Sequence, residues 1–247
     1  MSILLITATV TPPADAITLA RNDPAARLGD YLTALRFYLG QLASGVFQSI
    51  VFAENSNSDI SALKAISASA LRAGNIEFIS FYGLDYPGAY GRAFGEMRLI
   101  DYCMEHSGVI RALGPDHVIW KVTGRYIIEN IARLVTEKRS ADFYCQCRNL
   151  PRRWADMYFM GWTKRGYGMT IAGSSPKLRQ RTVFESPEVA FRNLIDEKAK
   201  SAKVLKRLPE PPRITGVRGW DNRRYETEKF KWWLRSAASR VAPWLWI

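Results

Sequence analysis

The segment Lys121-Val-Thr-Gly-Arg125 carries the sharpest chemical signal in the sequence. A lysine inside an apolar strand is costly to bury unless its ammonium group meets an anion or a carboxylate. In an extended chain, Lys121, Thr123 and Arg125 lie on one face. An ammonium, a hydroxyl and a guanidinium at one strand end could neutralise a diphosphate without a metal. The alternative is a structural ion pair of Lys121 with Glu54 or Glu96.

Polar acceptors fill the segment Glu54-Asn-Ser-Asn-Ser-Asp59, which follows another apolar run. At the carboxyl end of a parallel strand, such acceptors can receive hydrogen bonds from a ribose hydroxyl or a base N–H. Glu54, Asn55 and Asp59 are therefore candidate nucleotide-binding residues. Ser58 or Asp59 could also cap the following helix, and the two roles are compatible.

A glycine-rich turn, Pro87-Gly-Ala-Tyr-Gly-Arg-Ala-Phe-Gly-Glu96, leads into a predicted helix. It is not a Walker loop, because no Gly-Lys-Ser/Thr follows, and its spacing does not match a dinucleotide fingerprint. Backbone N–H groups at the start of the helix could hold an anion beside Arg92. The alternative is a flexible loop of ordinary turn residues.

Several motifs of other enzyme classes are missing from the sequence. It contains no G-x-S-x-G, H-E-x-x-H or D-x-D segment, and only two histidines, His106 and His117. These absences argue against a histidine-dependent triad or a metal centre. The three cysteines, Cys103, Cys145 and Cys147, are predicted to be buried thiols in a reducing cytoplasm.

The elements that must position these residues alternate between short apolar runs and amphipathic stretches. Strands are predicted at residues 3–10, 50–53, 76–81, 118–122 and 142–146. Helices are predicted at residues 28–42, 60–73, 96–105 and 127–136. This order predicts an α/β fold whose mainly parallel, Rossmann-type sheet is flanked by helices. Right-handed crossovers bring the strand ends together, so Thr7, Thr9 and Thr11 would neighbour the segments that begin at Glu54 and Lys121.

The second part of the chain is less regular and strongly basic. Strands are predicted at 158–163 and 169–172, helices at 186–204 and 225–245, a linker at 209–212 and a loop at 213–221. Residues 1–147 hold 13 Lys and Arg against 14 Asp and Glu, whereas residues 148–247 hold 22 against 9. The whole net charge of +12 therefore comes from the last hundred residues. Such a bias indicates an anionic partner.

The segment 225–247 holds four of the eight tryptophans. Apolar residues at helical spacing form one face of it, and basic residues flank that face. The candidate membrane contacts are Lys229, Lys231, Trp232, Trp233, Arg235, Arg240 and Trp244. This composition is typical of a helix that lies on anionic lipid, with tryptophan in the headgroup layer. The alternative is a terminal helix docked on the core.

The chain resembles bacterial glycosyltransferases of capsule, exopolysaccharide and O-antigen loci over about residues 1–165. The resemblance rests, in order, on Ile6-Thr-Ala-Thr-Val10, Arg27-x-x-Asp30-Tyr31, Phe52-Ala-Glu-Asn-Ser-Asn-Ser-Asp59, Gly91-Arg-Ala-Phe-Gly-Glu96 and Trp120-Lys-Val-Thr-Gly-Arg-Tyr126. It implies a GT-A-like fold that binds a nucleotide-sugar donor. The implied donor-binding residues are Thr7, Thr9, Glu54, Asn55, Asp59, Arg92, Lys121, Thr123, Gly124 and Arg125.

One departure from the GT-A pattern concerns the metal. GT-A enzymes carry Asp-x-Asp at the end of the fourth strand, where this chain has Lys121-Val-Thr-Gly-Arg125. Cations at that position could neutralise the leaving diphosphate as a metal does. The resemblance with this departure implies a metal-independent transferase with no cofactor, although it leaves a divalent metal open.

Two carboxylates are candidates for the catalytic base. An inverting glycosyl transfer needs a carboxylate to take the acceptor proton. Asp156 precedes a late predicted strand, where an acceptor-side residue could lie, and Glu96 is its competitor. The alternative for Asp156 is a surface role, paired with Arg152 or Arg153.

The sequence therefore predicts a glycosyltransferase that moves a sugar from a nucleotide-sugar donor to a bacterial surface polysaccharide or a lipid-linked glycan. Residues 1–208 would form the GT-A-like domain, with 1–147 as its donor half and 148–208 as its acceptor half. Residues 209–247 would form a linker and a basic helix, placing a cytoplasmic protein on the anionic inner face of the cell membrane. The alternatives are a basic nucleic-acid-binding protein and a non-catalytic scaffold that binds nucleotide sugars.

Overall fold

Seven strands form one sheet in the computed structural model, which describes residues 2–16, 19–136, 139–182, 185–225 and 229–241. The strands of this part of the chain are β1 (Ser2–Ala8), β2 (Ser49–Glu54), β3 (Ile76–Ser80), β4 (Val118–Thr123), β5 (Ile127–Ile128), β6 (Phe143–Arg148), β7 (Trp154–Thr163), β8 (Val204–Leu205) and β9 (Ile214–Thr215). The sheet order is β3-β2-β1-β4-β7-β6-β8, and β5 pairs with β9 outside the sheet. Strands β1 to β4 run parallel, and β7 lies antiparallel between β4 and β6. The predicted α/β fold with a mainly parallel sheet is confirmed.

Helices cover both faces of the sheet. In the described residues they are α1 (Pro24–Ala43), α2 (Ser61–Ile66), α3 (Ala68–Arg72), α4 (Gly91–His106), α5 (Gly108–Arg111), α6 (Ile131–Val135), α7 (Lys164–Thr170), α8 (Pro187–Lys198) and α9 (Lys229–Val241). Side chains of α4 and α8 pack on one face, and those of α1, α2 and α6 pack on the other. None of these helices is both long enough and apolar enough to cross a membrane.

The central strands are mainly apolar because both of their faces are buried. In β1, Ile3 and Leu5 belong to the core on one face of the sheet, whereas Leu4 and Ile6 belong to the core on the other. Successive side chains of a strand point to opposite faces, so a strand between two helical layers has apolar residues on both of them. This explains why the sequence shows apolar runs there instead of an alternation of apolar and polar residues.

Helix boundaries differ from the predictions where side chains outside the apolar pattern fix them. Helix α1 begins at Pro24, earlier than predicted, because the Asp23 carboxylate accepts hydrogen bonds from the backbone N–H groups of Ala25 and Ala26. Helix α4 begins at Gly91 and includes Gly95, where a β-carbon would collide with the Tyr86 hydroxyl. The glycine-rich turn is thus partly the first turn of a helix.

Three predictions in the second half of the fold are wrong in type or extent. The predicted strand at 169–172 lies in and after helix α7, which the Thr163 hydroxyl caps by accepting from Gly166 N. The predicted helix at 127–136 is split, because Ile127–Ile128 pairs as a strand with Ile214–Thr215 from the predicted loop. The predicted helix at 186–204 ends at Lys198, and Val204–Leu205 adds a strand to the sheet edge.

Candidate functional site

A cleft of about 1100 Å³ opens at the carboxyl edge of the parallel strands. Helix α4 bounds one side of it, and residues 211–225 with α9 bound another. Eight arginines and four carboxylates occur in its lining. These are Arg27, Arg92, Arg125, Arg148, Arg152, Arg213, Arg218 and Arg235, with Glu96, Glu129, Asp156 and Glu188. The described lining is therefore strongly cationic.

The predicted site residues divide into two groups. Those that line the cleft are Thr7, Thr9, Asn55, Arg92, Glu96, Thr123, Arg125, Asp156, Trp232, Trp233 and Arg235. Those that do not belong to its described lining are Glu54, Asp59, Lys121 and Gly124. The predicted meeting of the strand ends is confirmed, since Thr9 Oγ1 lies 2.6 Å from Asn55 Oδ1 and Gly124 N lies 2.8 Å from Thr7 O.

Glu54 and Asp59 shape the loop after β2. Glu54 is fully buried, and its carboxylate accepts from Val10 N at 3.0 Å and Ser56 N at 2.9 Å. The Asp59 carboxylate accepts from Ser61 N at 2.8 Å at the start of α2, and this hydrogen bond lowers the pKa of Asp59. Asp59 thus holds the start of α2, the structural role that the sequence offered for it. Asn55 is the residue of the segment 54–59 that lines the cleft.

Lys121 is fully buried and satisfied by its neighbours. Its ammonium donates to Thr123 Oγ1 at 3.0 Å and to Met157 O at 2.8 Å, and it forms an ion pair with Glu96. Burial lowers the pKa of Lys121, and the Glu96 carboxylate counters this effect. The ion pair considered as the alternative is therefore present.

Glu96 occupies the floor of the cleft, with its side chain 20% exposed. Its Oε1 accepts from Thr7 Oγ1 at 3.1 Å and from Thr123 Oγ1 at 3.0 Å, and it pairs with Lys121. Within the described parts of the chain, no donor contacts the second oxygen, Oε2. Glu96 is thus a carboxylate fixed through one oxygen, with its other oxygen available to a ligand.

Asp156 is buried, at 5% exposure, and three donors hold its carboxylate. These are Arg148 Nη2 at 3.0 Å, Trp154 Nε1 at 2.7 Å and Tyr158 Oη at 2.8 Å. Burial and the Asp156 charge both raise the pKa of Tyr158, so the phenol stays protonated and keeps donating. Asp156 therefore fixes an arginine and two aromatic side chains in the cleft wall.

The alternative of a surface pairing for Asp156 with Arg152 or Arg153 is wrong. Arg153 forms its ion pair with Asp196 on α8, and Arg152 is exposed at the mouth of the cleft. The buried partner of Asp156 is Arg148, which stacks on Trp154 with its guanidinium carbon 5.2 Å from the ring centroid.

One backbone N–H group of the glycine-rich turn is already bound to a carboxylate of the protein. Gly88 N donates to Asp15 Oδ2 at 2.8 Å, in the 3-10 turn that precedes α4. A β-carbon at Gly88 would overlap this carboxylate, so the turn requires glycine. Arg92 remains exposed on the first turn of α4, where it makes no hydrogen bond or ion pair to the described residues.

Arg27 is a cleft residue that sequence reasoning missed. It is 5% exposed, and its guanidinium donates to Thr9 O at 2.8 Å, Arg21 O at 2.9 Å and Tyr31 Oη at 3.2 Å. All three acceptors are neutral, and burial lowers the pKa of Arg27. The available signal was a charged residue one helical turn before Tyr31, on the buried stripe of α1.

Arg125 is 7% exposed and only partly satisfied. Its Nη1 donates to Val217 O at 2.9 Å, whereas its Nε is buried without a hydrogen-bond partner among the described residues. A β-carbon added at Gly219 would lie 2.9 Å from Arg125 Nη2 and 3.1 Å from Arg92 Nη1. Because both nitrogens are this close to the same point, the two guanidinium groups lie near each other.

Residues 213–225, which we call the C-terminal strap, cover the cleft beside Arg125. The strap begins with β9, and Gly219 O accepts from Arg21 N at 3.0 Å. Asn222 Nδ2 donates to Ala20 O at 3.2 Å. Hydrogen bonds thus join the strap to the loop before α1. At the end of the strap, burial raises the pKa of Tyr225.

Helix α9 lies at the mouth of the cleft. Trp232 Nε1 donates to Pro211 O at 3.0 Å, and the Arg213 guanidinium lies over the Trp232 ring, which docks the helix on the body. Trp233 and Leu234 are 60% and 46% exposed. The side chains of the predicted membrane contacts Lys229, Lys231 and Arg240, and all of Trp244, lie outside the described residues.

No family model and no curated protein matches this sequence. Three solved structures with a similar chain course each cover 83% of this chain. A proposed nucleotide-diphospho-sugar transferase from Desulfovibrio desulfuricans G20 is 12% identical, with 78% of its chain covered and a TM-score of 0.45. A proposed glucose-1-phosphate thymidylyltransferase from Bacillus anthracis is 10% identical, with 84% covered and a TM-score of 0.43. The galactosyltransferase LgtC, in complex with donor and acceptor sugar analogs, is 12% identical, with 72% covered and a TM-score of 0.45.

Proposed function

We propose that this chain is a GT-A-like glycosyltransferase that moves a sugar from a nucleotide-sugar donor to a glycan acceptor. The observation that carries the proposal is the fixed carboxylate of Glu96 on the floor of a cationic cleft at the strand ends. Ligands of open α/β sheets bind at this edge. A cationic wall suits an anionic leaving group, and a carboxylate with one free oxygen suits an attacking hydroxyl.

In the proposed reaction, an acceptor hydroxyl attacks the anomeric carbon of the donor sugar. The bond from that carbon to the diphosphate oxygen breaks, and the nucleoside diphosphate leaves with the electron pair. Glu96 takes the proton of the attacking hydroxyl through its free oxygen. Thr9 and Asn55 lie at the ends of β1 and β2, where they can bind the nucleoside. Asp156 acts through Arg148 and Trp154 on the acceptor side.

The residues at the end of β4 support transfer without a divalent metal at that position. A cation there would meet the Lys121 ammonium and the Arg125 guanidinium. Glu96 is the carboxylate at hand among the described residues, and it already pairs with Lys121. These side chains do not fit a metal ion, because divalent metals of this kind are held by clusters of oxygen ligands.

We also propose that the acceptor is lipid-linked and that α9 rests on an anionic membrane. The helix forms part of the cleft mouth through Trp232, Trp233 and Arg235. Exposed Trp233 and Leu234 can enter the interfacial layer, and the surplus basic residues of the C-terminal region can meet lipid phosphates. A membrane-bound acceptor would then reach the cleft directly.

A panel of nucleotide sugars tests the transferase proposal. We expect at least one to raise the melting temperature of the purified protein, with no dependence on EDTA, because ligands that bind the native state stabilise it. Hydrolysis or transfer of the same sugar, followed by chromatography of the released nucleotide, should accompany the shift. Binding without any turnover would favour the non-catalytic scaffold, and a shift with RNA or DNA alone would contradict the proposal.

Replacing Trp233 and Leu234 by Ser is expected to weaken binding to vesicles of phosphatidylethanolamine and phosphatidylglycerol. Each lost apolar side chain should lower the partition coefficient roughly tenfold. Cosedimentation measures it, and Tyr82→Ser is the control, since Tyr82 is an exposed aromatic residue beyond edge strand β3. Equal binding of the double variant and the parent would contradict a membrane role for α9.

A further inference from the structure

Three guanidiniums share one wall of the cleft, those of Arg27, Arg92 and Arg125, which we call the arginine triad. The approach of Arg92 and Arg125 to Gly219 brings their nitrogens close together. The charge of Arg125 also reaches Arg27, whose pKa is lowered by burial and further by this neighbour. Like charges in a half-buried wall repel one another, so an anion that binds between them is stabilised.

The protein itself does not supply that anion in its described parts. Three carboxylates of this region are already paired with other cations. Asp30 pairs with Arg21 at 2.8 Å, Glu96 pairs with Lys121, and Glu129 pairs with Arg213 at 2.5 Å. No ion pair joins a member of the triad to a described carboxylate. An anionic ligand in the cleft could therefore form the ion pairs that these described carboxylates do not.

The geometry points to a phosphate-bearing ligand. The Arg125 guanidinium is buried, and its Nε has no described hydrogen-bond partner. Three neutral oxygens accept hydrogen bonds from the Arg27 guanidinium. Its positive charge is therefore held at a fixed place in the cleft wall. Planar guanidiniums match the oxygens of phosphate groups and form two parallel hydrogen bonds with them.

We propose that the arginine triad binds the diphosphate of the donor nucleotide, in place of Lys121 and of a metal ion. This inference rests on the proposed function, and it adds Arg27 to the site. Lys121 lies behind Glu96, and its ammonium already donates hydrogen bonds to Thr123 Oγ1 and Met157 O. As the donor bond breaks, the negative charge that develops on the leaving diphosphate meets two fixed guanidiniums, those of Arg27 and Arg125, and the exposed Arg92.

Isothermal titration calorimetry of the full chain tests the triad with defined probes. These are inorganic pyrophosphate, the diphosphates of uridine, guanosine, adenosine and thymidine, and the nucleosides without phosphate. We expect Arg92→Gln and Arg125→Gln each to weaken diphosphate binding roughly 10–100-fold, because each removes charge-assisted hydrogen bonds. Affinity for the nucleoside should stay unchanged, and EDTA should have no effect.

Arg36→Gln is the matched control, since Arg36 is exposed on the same helix as Arg27. Arg27→Gln can disturb folding because it breaks three hydrogen bonds, whereas Arg92 is exposed, so the Arg92 variant decides the test. Wild-type affinity in Arg92→Gln and Arg125→Gln, or loss of binding in EDTA, would overturn the triad.

The two proposals fail in different ways. Pyrophosphate and nucleoside diphosphates that bind through the triad, with no nucleotide sugar turned over, would support the inference and remove the transferase proposal. Turnover of a nucleotide sugar that is indifferent to the Arg92 and Arg125 variants would do the reverse.

Discussion

Replacing Glu96 by Gln is expected to slow sugar transfer by about 10²–10⁴-fold, the range that general base catalysis contributes. The amide keeps an oxygen for Thr7, Thr123 and Lys121, so the side chain should remain in place. It cannot take a proton from the acceptor hydroxyl. The loss should therefore appear in kcat, with little change in the affinity for the donor, as initial rates and calorimetry would show.

Two further variants make this result specific. Glu105→Gln, an exposed carboxylate on the same helix, should transfer sugar at the parental rate. Asp156→Asn should lower thermal stability as well as activity, because its carboxylate holds Arg148, Trp154 and Tyr158. If Glu96→Gln kept more than a tenth of the parental kcat while Asp156→Asn lost activity without losing stability, the base would be Asp156.

Lys121→Met should lower the free energy of unfolding by about 3 kcal/mol, near the lower end of values for breaking one side of a buried ion pair. The lower end applies because the partner, Glu96, keeps some contact with water. Adding Glu96→Gln removes the other charge, so the double variant should be more stable than the sum of the single effects predicts. Urea unfolding of the four proteins forms the cycle.

Lys64→Met, at an exposed position of α2, is the control and should change stability by less than about 0.5 kcal/mol. The opposite outcome would be that Lys121→Met unfolds like the parent and no longer binds a nucleoside diphosphate. Lys121 would then have the direct phosphate role predicted from the sequence.

Much of the fold up to β4 could be predicted because its signals are local. Short, mainly apolar runs indicated β1, β2 and β4. Because parallel strands end at one edge of a sheet, Thr7, Asn55 and Thr123 were expected to lie close together. The second half depends on contacts between distant residues. Residues 127–128 are too short a run to predict a strand, and this strand forms by pairing with the distant residues 214–215. A four-residue apolar run such as 169–172 fits a helix as well as a strand.

The candidate site was predicted by residue type better than by role. Lys121 and Glu54 were placed near the right edge, yet their side chains turn into the protein. A sequence pattern shows which face of a strand a residue shares but not which neighbour satisfies its charge. Arg27 was missed for the opposite reason, since a charged residue on a buried helical stripe becomes meaningful only when the wall that it joins is known.

The C-terminal strap has a consequence for the order in which the protein is made. The cleft needs Thr7 from the first strand and Val217 from near the other end of the chain. A chain growing on the ribosome emerges from its N-terminus, so the sheet can begin to form while the strap is still inside the exit tunnel. The cleft is then completed after the sheet, and a chain cut before Val217 would keep its sheet but lose the carbonyl that accepts from Arg125.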